Sequence, residues 1–396
     1  MIPVSRWQAF SSSIFSKMSQ LAATHQAVNL AQGFPDFDGP AVIKEAAIAA
    51  IRGSYNQYAP STGLGELRRQ LAARQAEQYG LQYDPASEVT VFSGATEAIF
   101  CCIMGLCNPG DEVLTFEPFF DCYPAATAMS GAVLKTVPLR APDWAFSLDD
   151  LKAAVTDRTR ILILNSPHNP TGKVFSRQEL LSLAQLAQEK DLIVITDEVY
   201  EELIFTPARH LPIARLEGMR DRTITISSTA KTFSMTGWKV GFAFADRKLS
   251  ELIRIPHQYT VFCSATPLQA GMIAAFKLGQ EYFVDFREQY TRRRDKLLAI
   301  LRQHGYTCKA PEGTYFITAD YRQILDVPDM EFAAWMTEKV GVACLPVSTF
   351  YADAAAARDS LRLVRFAFCK EIETLEEAGR RLAERLPQAL AERRGT

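Results

Sequence analysis

The sequence predicts an α/β fold, a mostly parallel sheet with helices on both faces, joined to a smaller α+β domain. Three observations carry this. Short, nearly unbroken apolar runs rich in β-branched residues alternate with segments of helical spacing through the middle of the chain, the pattern of strands buried on both faces. From about residue 280 the composition shifts to charged helices around short strands, an α+β pattern. A length of 396 residues with 48% apolar content can bury a sizeable core, in two domains or in one large domain with an appendage.

The strands of the first part are expected in "EVTVFS" (88–93), "DEVLTF" (111–116), "RILILN" (160–165), "DLIVITDE" (191–198) and "RTITISS" (222–228). Between them "LDDLKAAVT" and "SRQELLSLAQLAQEK" have helical spacing, and Ser176 with Glu179 three residues on reads as a capping box. Later, "FREQYTRRRDKLLAILRQHG" and "EIETLEEAGRRLAERLPQALAERR" read as helices and "TYFITADY" and "LRLVRFAF" as strands. Their Arg and Glu runs are expected to be solvated faces. Without repeats or low-complexity linkers the division is soft. It is expected as an N-terminal arm with part of the small domain (1–40), a large domain (41–280) and a small C-terminal domain (281–396).

A net charge of −2 gives no electrostatic reason for a nucleic-acid or anionic-membrane partner. The apolar runs fall short of the roughly 20 residues that span a bilayer, and the start has no basic region leading into an apolar core, so a cytoplasmic protein is expected. Eight cysteines without a CxxC pair fit reduced thiols. The five histidines form no metal-binding spacing, and no metal is expected.

In a parallel sheet, ligands bind outside the carboxyl ends of the strands. Four such ends carry distinctive groups. "SGATEA" (93–98) is a turn opening a helix, where the amides of Gly94, Ala95 and Thr96 suit an anion, although an ordinary strand-to-helix turn reads the same way. "SPHNPTGKVF" (166–175) presents Asn169 on a proline-stiffened loop, or uses it only to bond its own backbone. Asp197 ends a buried strand and needs a positive partner, either a structural Arg or a protonated ring nitrogen. Lys231 follows the fourth end. On position alone it would be a surface residue. Together, an amine, an acid, an amide and an anion-binding helix start are the groups that hold pyridoxal phosphate.

The motifs "NLAQGFPDF", "NQYAPSTGLGELR", "SGATEA", "EPFFDCY", "NSPHNPTGKVF", "TDEVYEEL", "SSTAKTFSMTGWKVG" and "LVRFAF" stand in an order that resembles the class I pyridoxal-phosphate aminotransferases of fold type I. The likeness spans nearly the whole chain and is nearest to the branch of methionine and kynurenine/glutamine aminotransferases. It implies that Lys231 is the Schiff-base lysine and proton shuttle, that Asp197 pairs with the ring nitrogen, and that Asn169 and Tyr200 bond the phenolic oxygen. It also implies a phosphate held by Gly94–Thr96, Ser228 and Lys239, with Tyr58 reaching in from the second subunit of a homodimer. Many relatives carry Arg where Lys239 stands, so a point charge replaces a fork. Phe120 would stack on the ring, or simply belong to the core. Arg365 would clamp the substrate carboxylate, with Arg362 its rival on the opposite face of an alternating strand. Gly33 would let the N-terminal segment approach the substrate, or only form a turn.

Transamination between an L-amino acid and a 2-oxo acid is the implied reaction. A carbon–sulfur β-lyase using the same residues is the alternative. Phe15, Phe120, Phe262 and Tyr315 suggest an apolar, aromatic-rimmed pocket for methionine, aromatic residues, and glutamine or kynurenine. Such a pocket separates side chains that differ by one methylene by only ~1–3 kcal/mol.

Overall fold

Runs of Ile, Leu and Val that are apolar on both sides need cover on both sides, and they become the inner strands of one sheet. The computed structural model describes Val4, Phe10 and residues 13–394. Its large sheet contains β1 (Val89–Phe92), β2 (Glu112–Glu117), β3 (Val133–Pro138), β4 (Thr159–Asn165), β5 (Ile193–Asp197), β6 (Thr223–Ser228) and β7 (Gly241–Phe244), in the order β1-β7-β6-β5-β4-β2-β3. Only β7 runs against its neighbours. Alternate residues of β4 serve two cores: Ile161 and Ile163 pack under helix Ala95–Leu106, and Leu162 and Leu164 under helix Arg177–Glu189. Ser176 and Glu179 cap the second helix reciprocally.

Two strands of this sheet had no sequence expectation. Edge strand β3 is only partly covered, with Val133 about half exposed, so it lacks the unbroken apolar run that marks the inner strands. β7 lies in "VGFAF", directly after the Lys239 motif, and its four residues are all buried.

The second sheet is antiparallel, with β8 (Thr307–Cys308), β9 (Phe316–Asp320), β10 (Leu345–Pro346) and β11 (Leu363–Ala367) in the order β10-β11-β9-β8. Helices Gln280–Gln303 and Ile372–Arg394 pack on it. The early chain joins this layer: Val28–Asn29 pairs with Val342–Ala343, and Met18 and Leu30 enter the same core as Leu297 and Leu375. Among the described residues no helix is long and apolar enough to cross a membrane.

Candidate active site

Because β7 alone is reversed, the ends of β1, β4, β5 and β6 and the start of β7 lie on one sheet edge, and Gly241 is opposite both Phe92 and Ser228. A cavity of about 130 Å³ opens there. At the end of β1, Gly94 has φ 88° and starts helix Ala95–Leu106 with no side chain capping it, so the first amides face the cavity. A Cβ on Gly94 would come within 3.1 Å of Lys239 Nζ, and one on Gly241 would lie 2.4 Å from the Gly94 carbonyl carbon. Both glycines are therefore fixed by close approach. Ser228 and Lys239 complete this corner, a concave set of donors suited to an anion.

At the end of β5, Asp197 is buried, and burial pushes its carboxyl up to about 6. The Tyr123 hydroxyl donates to its Oδ2 at 2.7 Å and opposes that rise. The end of β4 is built around Asn165, whose Nδ2 donates to the Asp197 carbonyl (2.8 Å) and whose Oδ1 accepts the Asn169 amide (2.7 Å). Beyond β6, Lys231 is partly buried, and its amine is held down to about 8, chiefly by desolvation. It lies 5.7 Å from the Tyr200 ring centroid and 5.4 Å from that of Tyr315.

Arg365 comes from the other sheet. Its Nη1 donates to Asn169 Oδ1 at 2.8 Å, its Nη2 to the Ala31 carbonyl at 3.2 Å, and its guanidinium lies 3.8 Å over Phe316. Burial brings it down to about 10, and among the described residues its enclosed Nε has no partner. Arg362, its rival, instead binds Asp326 (2.5 Å) and the carbonyls of Asp359 and Leu361 at the rim. Phe120 lines the cavity and meets Tyr123 edge-on. Phe15 lies 5.6 Å from the Arg365 guanidinium.

A larger cleft of about 710 Å³ lies behind Thr171–Val174 and holds none of the predicted site residues. Its cationic side chains are all paired, Lys173 with Glu179, Lys309 with Asp143, Arg322 with Asp320 and Arg362 with Asp326. The smaller cavity has the unmatched groups.

The model of the family described as aminotransferase class I and II matches residues 25–382. The chain belongs to that family. It is 46% identical to a probable N-succinyldiaminopimelate aminotransferase of Mycobacterium tuberculosis, over 99% of this chain and 100% of that one. It is 38% identical to the methionine aminotransferase of Escherichia coli, over 96% and 98%. The solved N-succinyldiaminopimelate aminotransferase structure from Mycobacterium tuberculosis superposes with a TM-score of 0.93, covering 96% of this chain and 99% of that one.

The enzyme is thus a pyridoxal-phosphate-dependent aminotransferase of fold type I, acting on amino acids and 2-oxo acids. The residues present fit the cofactor. The Gly94–Lys239 corner has room that a single Cβ would take, and Asp197 is an enclosed carboxylate with no cationic side chain bonded to it among the described residues.

Six predicted residues lie outside the cavity wall: Arg365, Phe15 and Tyr315, placed above, and Tyr58, Phe262 and Gly33. Tyr58 is 83% exposed and packs edge-on against Phe262 at 5.3 Å. Thr266 brackets Tyr58, donating to the Gln57 carbonyl and accepting the Ala59 amide. Gly33 passes flat over Tyr315 and Phe316, where a Cβ would lie 2.7 Å from Phe316 Cζ, and the Tyr315 hydroxyl donates to its carbonyl. Two residues the sequence reading did not single out also hold the site. Tyr123 stands inside the quoted "EPFFDCY", and Asn165 is a polar residue closing an apolar strand, the same signal that marked Asp197.

Proposed function

We propose that this aminotransferase takes methionine and aromatic L-amino acids, with glutamine or kynurenine as further donors, and passes the amino group to a 2-oxo acid. The observation that carries this reading is the buried Arg365 with its free Nε. It is a cation enclosed by the rings of Phe15, Phe316 and Phe350, so an α-carboxylate would be bound beside an apolar wall.

Pyridoxal phosphate, when bound, supplies an aldehyde that condenses with amines and a protonated ring that withdraws electrons from the substrate Cα. In this reading the Gly94–Thr96 amides, Ser228 and Lys239 neutralise the phosphate. Asp197 keeps the ring nitrogen protonated, and Asn169 and Tyr200 bond the phenolic oxygen. Lys231 is the amine placed to hold the cofactor and, once released, to move the Cα proton. An amine held near 8 is partly neutral at physiological pH, as a base must be. Arg365 orients the substrate, and the aromatic walls exclude water.

The exposed Tyr58, packed on a half-buried Phe262, supports a homodimer in which Tyr58 completes the partner's phosphate site, since large exposed aromatic residues mark interaction surfaces. Eight free cysteines support a reducing compartment, the cytoplasm. The large domain would span 41–280 and the small one 281–396, with 1–40 as an arm shared with it.

A second reading rests on the 46% identity to a probable N-succinyldiaminopimelate aminotransferase, which favours a longer, succinylated donor. One panel separates the two. Methionine, phenylalanine, kynurenine, glutamine and N-succinyldiaminopimelate are added singly to holoenzyme, following the cofactor's visible absorption. The first reading requires methionine or phenylalanine to bleach it fastest, and bleaching by the succinylated donor alone overturns it. Ammonia release without a 2-oxo acceptor would turn the assignment toward the lyase.

A further inference from the structure

Arg365 and Asn169 belong to different layers of the molecule, so a contact of 2.8 Å between their side chains has to be held by something other than itself. Thr318 is in the right place. It is paired across β9 and β11 directly with Arg365, and directly opposed residues of an antiparallel pair project from the same face. Its hydroxyl donates to the Pro170 carbonyl at 2.9 Å, the residue after Asn169. A ring closes: Arg365 to Asn169 through the guanidinium, Asn169 to Pro170 along the chain, Pro170 to Thr318 through the hydroxyl, and Thr318 back to Arg365 through the strand pairing.

The loop has other ties to the second layer, but they are at its far end. Gly172 accepts the amides of Glu312 and Gly313, each at 2.9 Å, and Glu312 accepts the Val174 amide at 3.0 Å. At the near end, Thr318 is the donor to the Pro170 carbonyl, and Arg365 itself is the remaining link. Asn165 Oδ1 already fixes the Asn169 amide to the first sheet, so without the hydroxyl it is the β9–β11 pair carrying Arg365 that would shift against Asn169, with the loop still anchored at Gly172.

We propose that Thr318 is a positioning residue for carboxylate recognition, setting the separation of Asn169 and Arg365 so that a substrate α-carboxylate meets both. This rests on the reading of Arg365 as the carboxylate clamp. Amino-acid and 2-oxo-acid substrates both present that carboxylate, so both halves of the reaction feel the strut.

Thr318→Val removes the hydroxyl and keeps a β-branched strand residue, and Thr318→Ser keeps the hydroxyl. In holoenzyme, Thr318→Val should raise KM for both the amino donor and the 2-oxo acceptor by roughly three- to tenfold, the range of one lost hydrogen bond, with kcat within about twofold. Calorimetric titration with 3-phenylpropionate, a carboxylate with no amine to react, should show its Kd rising by the same factor. Thr318→Ser should restore both. Unchanged KM and Kd in Thr318→Val, or a Ser variant as impaired as the Val variant, would overturn the strut. Arg365→Lys is the control: if 3-phenylpropionate binds it as well as it binds the parent, the clamp reading fails, and the strut with it.

Discussion

Asp197→Asn separates what the buried carboxyl does for the fold from what it does for the reaction. The folded protein raises this carboxyl from 3.8 to about 6, first by desolvation. A group raised in this way contributes its full stabilisation below the unfolded value and loses it as pH rises through about 4 to about 6. The shift of roughly two units corresponds to ~3 kcal/mol. Without cofactor, then, the ionised Asp197 strains the fold at neutral pH, whereas an amide in its place has no such dependence. Urea unfolding of the cofactor-free proteins at a series of pH values measures it. The stability of Asp197→Asn relative to the parent should climb by most of that ~3 kcal/mol between about pH 4 and pH 7. Adding pyridoxal phosphate at about pH 7.5 should then stabilise the parent more than the variant, because only a carboxylate gains from a protonated ring nitrogen, and the variant should lose most of its turnover. A stability difference that stays flat with pH would refute the argument, since the carboxyl would then not be strained by its burial.

Lys231→Ala should abolish turnover while thermal melting shows a folded protein. In the parent, the rate at which cofactor-free enzyme captures pyridoxal phosphate, followed by absorption, should rise with pH through about 8 as the amine loses its proton, and a flat rate would contradict the buried amine. Gly94→Ala puts a Cβ at φ 88° and 3.1 Å from Lys239 Nζ. A non-glycine residue held in that extended positive-φ region costs roughly 1–3 kcal/mol, and if the turn moves off the anion corner to relieve it, cofactor Kd should rise by roughly fivefold to a hundredfold in a fluorescence titration. Mixing inactive Lys231→Ala with weakly active Tyr58→Ala, with subunit exchange confirmed by mass spectrometry, should raise activity above that of Tyr58→Ala alone, because the mixed dimer then holds one site with Lys231, Arg365 and Tyr58 all intact. Exchange with no recovery would mean that Tyr58 serves its own chain or none.

How much of this could be read from the sequence depended on whether a residue's meaning was local. Asp197 stood out because a charged group at the end of a buried apolar strand is costly unless it is used, and that cost can be seen within ten residues of chain; Lys231, a surface residue on position alone, gained its meaning only beside the other three strand ends. The inner strands were legible for the same reason: each carries its double burial in its own composition. β7 was not, since its four-residue run sits in a segment already claimed by the lysine motif, and its reversal is a property of the sheet. That reversal matters, because it brings Gly241 against Gly94 and so shapes the anion corner.

Residues whose role lies in a second residue far along the chain were the ones that escaped. Nothing near Tyr123 shows that its hydroxyl faces Asp197, 74 positions away. Thr318 looks like any polar residue of a half-covered strand until Pro170, 148 positions earlier, is brought beside it. Arg365 and Arg362 show where the boundary falls. Alternation placed them on opposite faces and required that only one serve, but alternation is symmetric and could not choose between them. The choice is made by what waits on each side: Asp326 and open carbonyls for Arg362, and for Arg365 the Asn169 amide, three aromatic rings and an Nε left without an acceptor. A buried donor left unpaired costs about 1–3 kcal/mol, and under the proposed role of Arg365 a substrate carboxylate supplies the missing acceptor and recovers that cost on binding. The face that is unfavourable without a ligand is therefore the one equipped to hold it.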